Sequence, residues 1–538
     1  MLDKDIDSEK GFNGGGSVNE RTSPQDPTKW DGQIDEGIAK DEDLHRGLKA
    51  RQISMIAIGG SIGTGLVIGS GSALTRGGPV GLLLAYVIMG FCAFATMMSL
   101  GEMATYLPSK KGFGGYASRF VDPALDVVAG SLVVTYWTSI IPTAAWITIF
   151  IVLIVVLNLL GIKLFGEIEF WASFIKIVVL AGLIILGLVI DLGGVPNVDR
   201  IGFRYWKQMP FSHYIFPDRD VGVFLGVWSC MTSALFAYMG IELVGVTFGE
   251  AKNPRKTVPA TIRRTFARIL IFYIGSVFVV GLILKANDPG LIAVTKKKTS
   301  AAASPFVLAI ERAEIRVLPD LLNACILLFV LSAANSDLYI GTRTLYALAA
   351  QGQAPRIFMR VNRYGTPYWA TAFCSIICCI AYLAAGPGSY VVFGYFTATV
   401  TLLGALTWMG ILYSHISFMK ALKAQGISRD TLPWKAPCQP YAAYIAFAIT
   451  AIVTIFKGFD SFTPKFNYKT FVTNYVAIPF WLALFFGWKF VHKTKFIPSA
   501  EVDLISGRRE FDEDEALWEE KEALKGKLPW WKRAWEGA

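Results

Sequence analysis

The chain has 538 residues, 53% hydrophobic and only 17% charged, with net charge +10 and mean hydropathy +0.46. A soluble protein of this length needs far more surface charge, so a cytosolic enzyme, a disulfide-stapled secreted scaffold and a disordered regulator are excluded together. The basic excess does not call for nucleic acid. Residues 1–50 hold 12 acidic and 7 basic side chains, so the surplus lies in the apolar remainder, where it fits basic loops between membrane spans.

Residues 1–50 are polar and Gly- and Asp-rich, which predicts a disordered cytoplasmic N-terminal tail rather than a signal peptide. Residues 51–491 then read as one transmembrane domain. Runs of about 20 apolar residues match the hydrocarbon layer at Ile53–Leu74, Gly81–Met103, Glu169–Leu192, Val221–Phe248, Ile269–Leu284, Leu318–Ala350, Trp369–Ala385, Val391–Tyr413, Tyr441–Phe459 and Phe471–Val491. The 36 uncharged residues Val127–Ile162 are too long for one span and supply two short ones, turning near Pro142. The total is about 12, followed by a charged C-terminal tail over residues 492–538. Basic clusters at Lys110, Lys111 and Arg119, at Lys252–Arg268, at Arg356–Arg363 and at Lys420–Lys435 share one side when both termini are cytoplasmic.

Two spans carry unusual composition. The first contains Gly59, Gly60, Gly63, Gly65, Gly69 and Gly71, which cost about 6 kcal/mol of helix propensity against alanine. Either the glycines let a neighbouring helix approach closely, or the helix unwinds near Gly63–Gly65. Unwinding would leave N–H groups of Ser61, Ile62, Gly63, Thr64 and Gly65 at the positive end of the next half-helix, a receptor for a carboxylate. A dinucleotide loop is the poorer reading, because no strand precedes Gly63. The span Val221–Phe248 is similarly placed at the start of a second half. A break around Phe236, Ala237, Tyr238, Met239 and Gly240 would free carbonyls for an ammonium. Paired interrupted helices are a pointer to a transporter site at the bilayer midplane, and an α-amino acid zwitterion suits both halves.

Ionisable residues in apolar surroundings are functional candidates by default. Lys176 is in mid-span, Glu242 in the second interrupted span, Glu102 at the end of the second span, Asp126 before the short third, and Asp337 in the eighth. Lys176, Glu242, Glu102 and Asp126 are the proton-coupling candidates, weighed against snorkelling for Lys176 and an interfacial helix end for Glu102. Phe236 is a candidate gate, or ordinary packing. Thr397 and Thr399 offer hydroxyls to a substrate side chain, or bond their own helix. The seven cysteines and four histidines show neither a disulfide framework nor metal-ligand spacing. No catalytic triad or paired catalytic carboxylates occur, so no cofactor, metal or enzymatic role is expected.

These residues resemble fungal amino-acid permeases of the amino acid–polyamine–organocation superfamily. The likeness runs from about Leu44 to the C-terminal tail. Its most specific pieces are GGSIGTG at 59–65, GEMATYLP at 101–108 and ELVGVTFGEAKNPRK at 242–256, with NSDLY at 335–339, TRTLY at 342–346, QGQAPR at 351–356 and QGISRD at 425–430. The resemblance implies an all-α polytopic protein with two inverted five-helix repeats, as in leucine-transporter-like folds, plus two further helices. It implies a proton symporter of L-amino acids in the plasma membrane. It places the carboxylate-binding turn on Gly63–Gly65, the amine-binding carbonyls near Ser61, Phe236, Ala237 and Met239, a cation-replacing lysine at Lys176 and a third-span acid at Asp126. The third span is shorter than the family pattern by roughly a helix. The alternatives to import are an amino-acid sensor and a transport-defective product of that shortened span. Tail lysines Lys4, Lys10, Lys29, Lys40, Lys521, Lys525 and Lys527 are candidate ubiquitin acceptors, with ligase adaptors as partners.

Overall fold

A computed structural model describes residues 55, 64–107, 112–122, 144–195, 199–217, 220–242, 244–248, 254–296, 304–315, 317–379, 382 and 389–505. The expected N-terminal tail, most of the shortened third span with Asp126, and residues 506–538 lie outside them. Among the described residues, secondary structure is entirely helical. Eight helices there are long and apolar enough to cross a membrane, and Thr148–Leu159 and Tyr368–Cys378 are shorter apolar segments.

The opening helices are α1 (Thr64–Val67), α2 (Gly69–Tyr106), α3 (Gly112–Phe120), α4 (Ala144–Leu159) and α5 (Ile162–Asp191). After the short α6 (Arg204–Gln208) come α7 (Asp220–Tyr238), α8 (Val244–Thr247) and α9 (Pro254–Ile283). Two short helices, α10 (Pro289–Lys296) and α11 (Pro305–Arg312), lead to α12 (Leu318–Ala350) and α13 (Tyr368–Cys378). The last four are α14 (Ser389–Ala424), α15 (Tyr441–Phe456), α16 (Tyr468–Tyr475) and α17 (Ala477–His492).

The first two predicted spans meet inside α2 with almost no loop. Gly78 adopts φ +73°, ψ 174°, and Pro79 opens the next helical stretch. Only glycine takes that φ without strain, and proline at a first helical position lacks an N–H that would go unbonded. The Val80 N–H is accepted by the Pro210 carbonyl at 3.0 Å. A Cβ on Gly78 would lie 2.7 Å from that same oxygen.

Helix α2 is the axis of the core, packing on α7 and α9 most extensively and also on α14 and α15. A second layer forms where α12 meets α4, α5 and α13. Outward faces are apolar: Ile185, Phe224, Ile376 and Phe490 are exposed, which suits a lipid solvent rather than water.

Several boundaries move from their sequence expectations. Helix α5 starts seven residues before Glu169, so that carboxylate is carried inside a helix. Helix α9 starts at Pro254, taking Arg255, Lys256, Arg263 and Arg264 into its first turns. Long basic side chains have good helix propensity and reach back to water from a span's end, so hydropathy alone places such an end too late. The start of the charged C-terminal tail packs on the bundle. Val502 and Leu504 are buried, the Ile497 N–H is accepted by the Val121 carbonyl at 3.0 Å, and the Gln425 amide donates to the Val502 carbonyl at 2.6 Å. Buried Asp122 accepts from Lys489 Nζ at 2.5 Å and from the Thr494 hydroxyl at 2.9 Å, which fixes where the strap begins.

Candidate functional site

Two interrupted helices face each other. On the first, α1 is separated from α2 by the single residue Ile68, whose backbone stays in the right-handed region (φ −106°, ψ −45°). Gly65 lies against the last turn of α7: a Cβ there would be 2.7 Å from the Ala237 Cα and 3.2 Å from Phe236 Cδ1. The close approach is at Gly65, but Thr64 and Gly65 lie inside α1, so the interruption falls at Ile68 rather than at the expected Gly63–Gly65. Ser61, Ile62 and Gly63 are outside the described residues, and Thr64 is the first residue of α1.

The second helix stops at Tyr238. Met239 N–H closes onto the Phe236 carbonyl at 3.3 Å, Gly240 takes φ +92°, and helix resumes only at Val244. A helix that ends leaves its last carbonyls without a following turn to bond them. The unwound segment is braced by Glu242, whose Oε2 accepts from the Gly240 N–H at 3.1 Å and from Trp408 Nε1 of α14 at 2.9 Å. The residues of this turn point differently. Phe236 is half-buried with its ring edge beside Gly65, where a gate would stand. Ala237 is buried beneath Gly65. Tyr238 turns away: its hydroxyl donates to the Tyr86 carbonyl at 3.1 Å, and its ring stacks on Tyr273 at 4.6 Å. Met239 is buried against Gly404 of α14. A cavity lined by Gly90, Ala93, Met97, Tyr238 and Thr265 borders the break on the α2–α9 side, and its lining is largely apolar.

Polar groups converge at the interface of α5 and α12. Lys176 is 0% exposed and interacts electrostatically with Glu169 on its own helix and Asp337 on α12. Glu169 accepts a short hydrogen bond from the Ser332 hydroxyl and a 3.4 Å bond from the Asn335 amide. Asn335 Oδ1 accepts from Asn158 of α4 at 2.9 Å. Asp337 also interacts with Glu242, which links this cluster to the broken helix. Glu169, Asn158 and Ser332 escaped the sequence reading. The available signal was spacing: Glu169 precedes Lys176 by seven residues, two turns, and so shares its face.

Glu102 sits elsewhere. It is 0% exposed at the end of α2, and its carboxylate accepts from Arg429 Nε at 2.7 Å, Arg429 Nη2 at 3.0 Å and the Ala436 N–H at 3.3 Å, with His415 Nε2 at 3.4 Å. Arg429 in turn donates to the Ala436 and Gln439 carbonyls. This arrangement fastens the end of α2 to the segment between α14 and α15. Thr397 donates to the Gly394 carbonyl at 3.0 Å, and Thr399 to Tyr395 and Thr473 carbonyls at 3.1 and 3.2 Å. Both hydroxyls thus have backbone acceptors, one of them on α16. Among the described residues, no group of His, Cys, Asp or Glu side chains has the arrangement of a metal site.

Comparison with known proteins gives the same architecture a family. The family described as Amino acid permease matches residues 52–498. The chain belongs to that family. This permease is 46% identical over 501 residues to the dicarboxylic amino acid permease of Saccharomyces cerevisiae, covering 88% of this chain and 82% of that one. It is 40% identical over 515 residues to the lysine-specific permease of the same yeast (90% and 84% covered), and 38% identical over 511 residues to the proline-specific permease of Emericella nidulans (90% and 92% covered). It is a multi-pass membrane permease, and its two broken helices lie within the matched region.

Proposed function

We propose that this permease imports L-amino acids with protons across the plasma membrane by alternating access. The observation that carries the reading is the meeting of two interrupted helices at Gly65 and Ala237. Backbone N–H groups of Ser61, Ile62, Gly63, Thr64 and Gly65 would take the substrate carboxylate at the positive end of α1. Carbonyls near Phe236–Gly240 would take the ammonium, with Phe236 as the gate. Peptide groups recognise what every α-amino acid shares. That agrees with relatives whose names span dicarboxylic amino acids, lysine and proline, side chains with opposite charges or none. Thr397 and Thr399 remain candidates for side-chain selection once the helix carbonyls release their hydroxyls. For the protons, the buried α5–α12 cluster around Lys176 with nearby Glu242 is favoured over Glu102, whose carboxylate is fully engaged by Arg429 and the Ala436 N–H. Asp126 stands as a third-span candidate. Both termini would lie in the cytoplasm, where the tail lysines would meet ubiquitin ligase adaptors.

The test is uptake of labelled L-glutamate, L-aspartate, L-lysine and L-proline in a permease-deficient yeast. Saturable accumulation that collapses with a protonophore is expected for at least one of them, with L-glutamate or L-aspartate first by relatedness. Sodium-driven uptake would refute the proton coupling, and signalling without accumulation would assign the sensor role instead.

A further inference from the structure

The cluster beside the broken helix contains more carboxylates than cations. Glu169, Asp337 and Glu242 are buried with a single ammonium, Lys176, among the described groups that face Asp337. Among the described groups, α13 adds the Cys378 thiol; the sequences of α1 and α4 contain no charged residue. A buried charge is tolerated when paired and hydrogen-bonded, and is very costly otherwise.

The three carboxylates are not equally provided for. Glu242 has two donors, the Trp408 indole and the Gly240 N–H. Glu169 has Ser332 and Asn335 as donors and shares a helix face with Lys176. Asp337 is 6% exposed, and its Oδ1 has no hydrogen-bond partner among the described residues. Among the described groups, both other carboxylates repel it and Lys176 attracts it. Of the three, it is the carboxylate with a buried oxygen that no described donor reaches.

We infer that Asp337 carries the transported proton, an inference that rests on the proton-symport reading above. Its carboxylate takes one proton from water on the side of entry, becomes a neutral acid, and returns that proton to water on the side of release. Coupling follows from position. Asp337 is on α12, which packs on both α1 and α8, and Glu242 braces the unwound turn that leads into α8. A neutral Asp337 lets the Glu242 carboxylate stay close. Loss of the proton restores repulsion across this contact and biases the broken helices to move against α12.

The experiment uses the full chain in proteoliposomes, with labelled L-glutamate, L-lysine and L-proline in parallel. Two rates are read: accumulation driven by an imposed pH gradient, and exchange against preloaded substrate with no gradient. In the wild type, both are expected. Asp337→Asn should lose driven accumulation and its pH dependence while retaining exchange. Asp337→Glu should restore driven uptake with a displaced pH profile. Wild-type accumulation that ignores the pH gradient overturns the symport reading and this inference together. Gradient-driven accumulation by Asp337→Asn with the wild-type pH profile overturns the inference alone. So does loss of exchange in Asp337→Asn at normal protein level without recovery in Asp337→Glu, because that would make Asp337 a structural group.

Discussion

Gly65→Ala is a one-carbon test of the contact between the broken helices. The added Cβ would sit 2.7 Å from the Ala237 Cα, 3.2 Å from its nitrogen and 3.2 Å from Phe236 Cδ1. Two of those neighbours are backbone and have no rotamer to change, so one half-helix must shift. Overpacking of this kind costs about 1–3 kcal/mol. Borne wholly by the closed arrangement, that corresponds to about 5- to 150-fold in an equilibrium constant. Helix propensity works the other way, favouring alanine by about 1 kcal/mol, so the net effect should be tens-fold at most. The assay is the concentration dependence of labelled amino-acid uptake, normalised to surface protein, with Gly69→Ala as control. Gly69 begins α2, and a Cβ there meets nothing within 4 Å, so its replacement should leave uptake unchanged. Wild-type kinetics in Gly65→Ala, or equal damage from Gly69→Ala, would refute the close-contact argument.

Two further outcomes follow from ion pairs away from the break. Arg429→Ala leaves the fully buried Glu102 without its two strongest donors. Losing one partner of a buried pair costs about 3–5 kcal/mol, so a lower melting temperature of purified protein and reduced surface abundance are expected, and an unchanged melting temperature would contradict the fastening role. Between α10 and α11, outside the spans, Asp288 accepts from Arg312 at 2.5 and 2.6 Å and from the Leu291 N–H at 3.0 Å. Burial pushes the Asp288 carboxyl up, but these hydrogen bonds outweigh it and hold it below the ordinary aspartate value. A depressed carboxylate contributes stability above its unfolded value and loses it as pH falls through the folded one. The melting-temperature difference between wild type and Asp288→Asn should therefore persist at neutral pH and shrink on acidification below the usual aspartate range. A difference that grows with acid would reverse the sign and refute the account.

What the sequence made legible follows local chemistry. Glycine density in the first span and Gly240 in the second mark where helices are expensive to continue; the second helix ends beside Gly240, whereas the first is interrupted at Ile68 rather than at Gly63–Gly65. The limits Leu318 and Ala350 of α12 are the same in sequence and structure, because proline follows the first residue and a polar turn follows the last. Glu169 was illegible as a site for a different reason. Hydropathy places it at a span boundary, where a carboxylate is ordinary. Its burial depends on Ser332 and Asn335, 163 and 166 residues further along the chain. Glu102 illustrates the same limit: its position is readable, whereas its partner Arg429 is 327 residues away. Tertiary partners of this kind decide whether a charge is a lock, a brace or a carrier, and periodicity contains no record of them.

On the proposed symport reading, the arrangement separates two kinds of electrostatics. Peptide dipoles at a helix break have fixed partial charges and do not titrate, so a substrate gripped by them is held with similar strength across the range of pH in which the proton gradient works. Side chains at the α5–α12 interface are ionisable, and they stand beside the break rather than in its turns. Glu242 joins the two sets: one carboxylate oxygen accepts from the unwound Gly240 N–H and from Trp408, while its charge acts on Asp337. On the proposed reading, substrate grip and proton load communicate through that single carboxylate. Removing the Trp408 indole donor would then weaken the coupling of transport to the gradient more than the affinity for amino acid, an asymmetry that uniform damage to the fold would not produce.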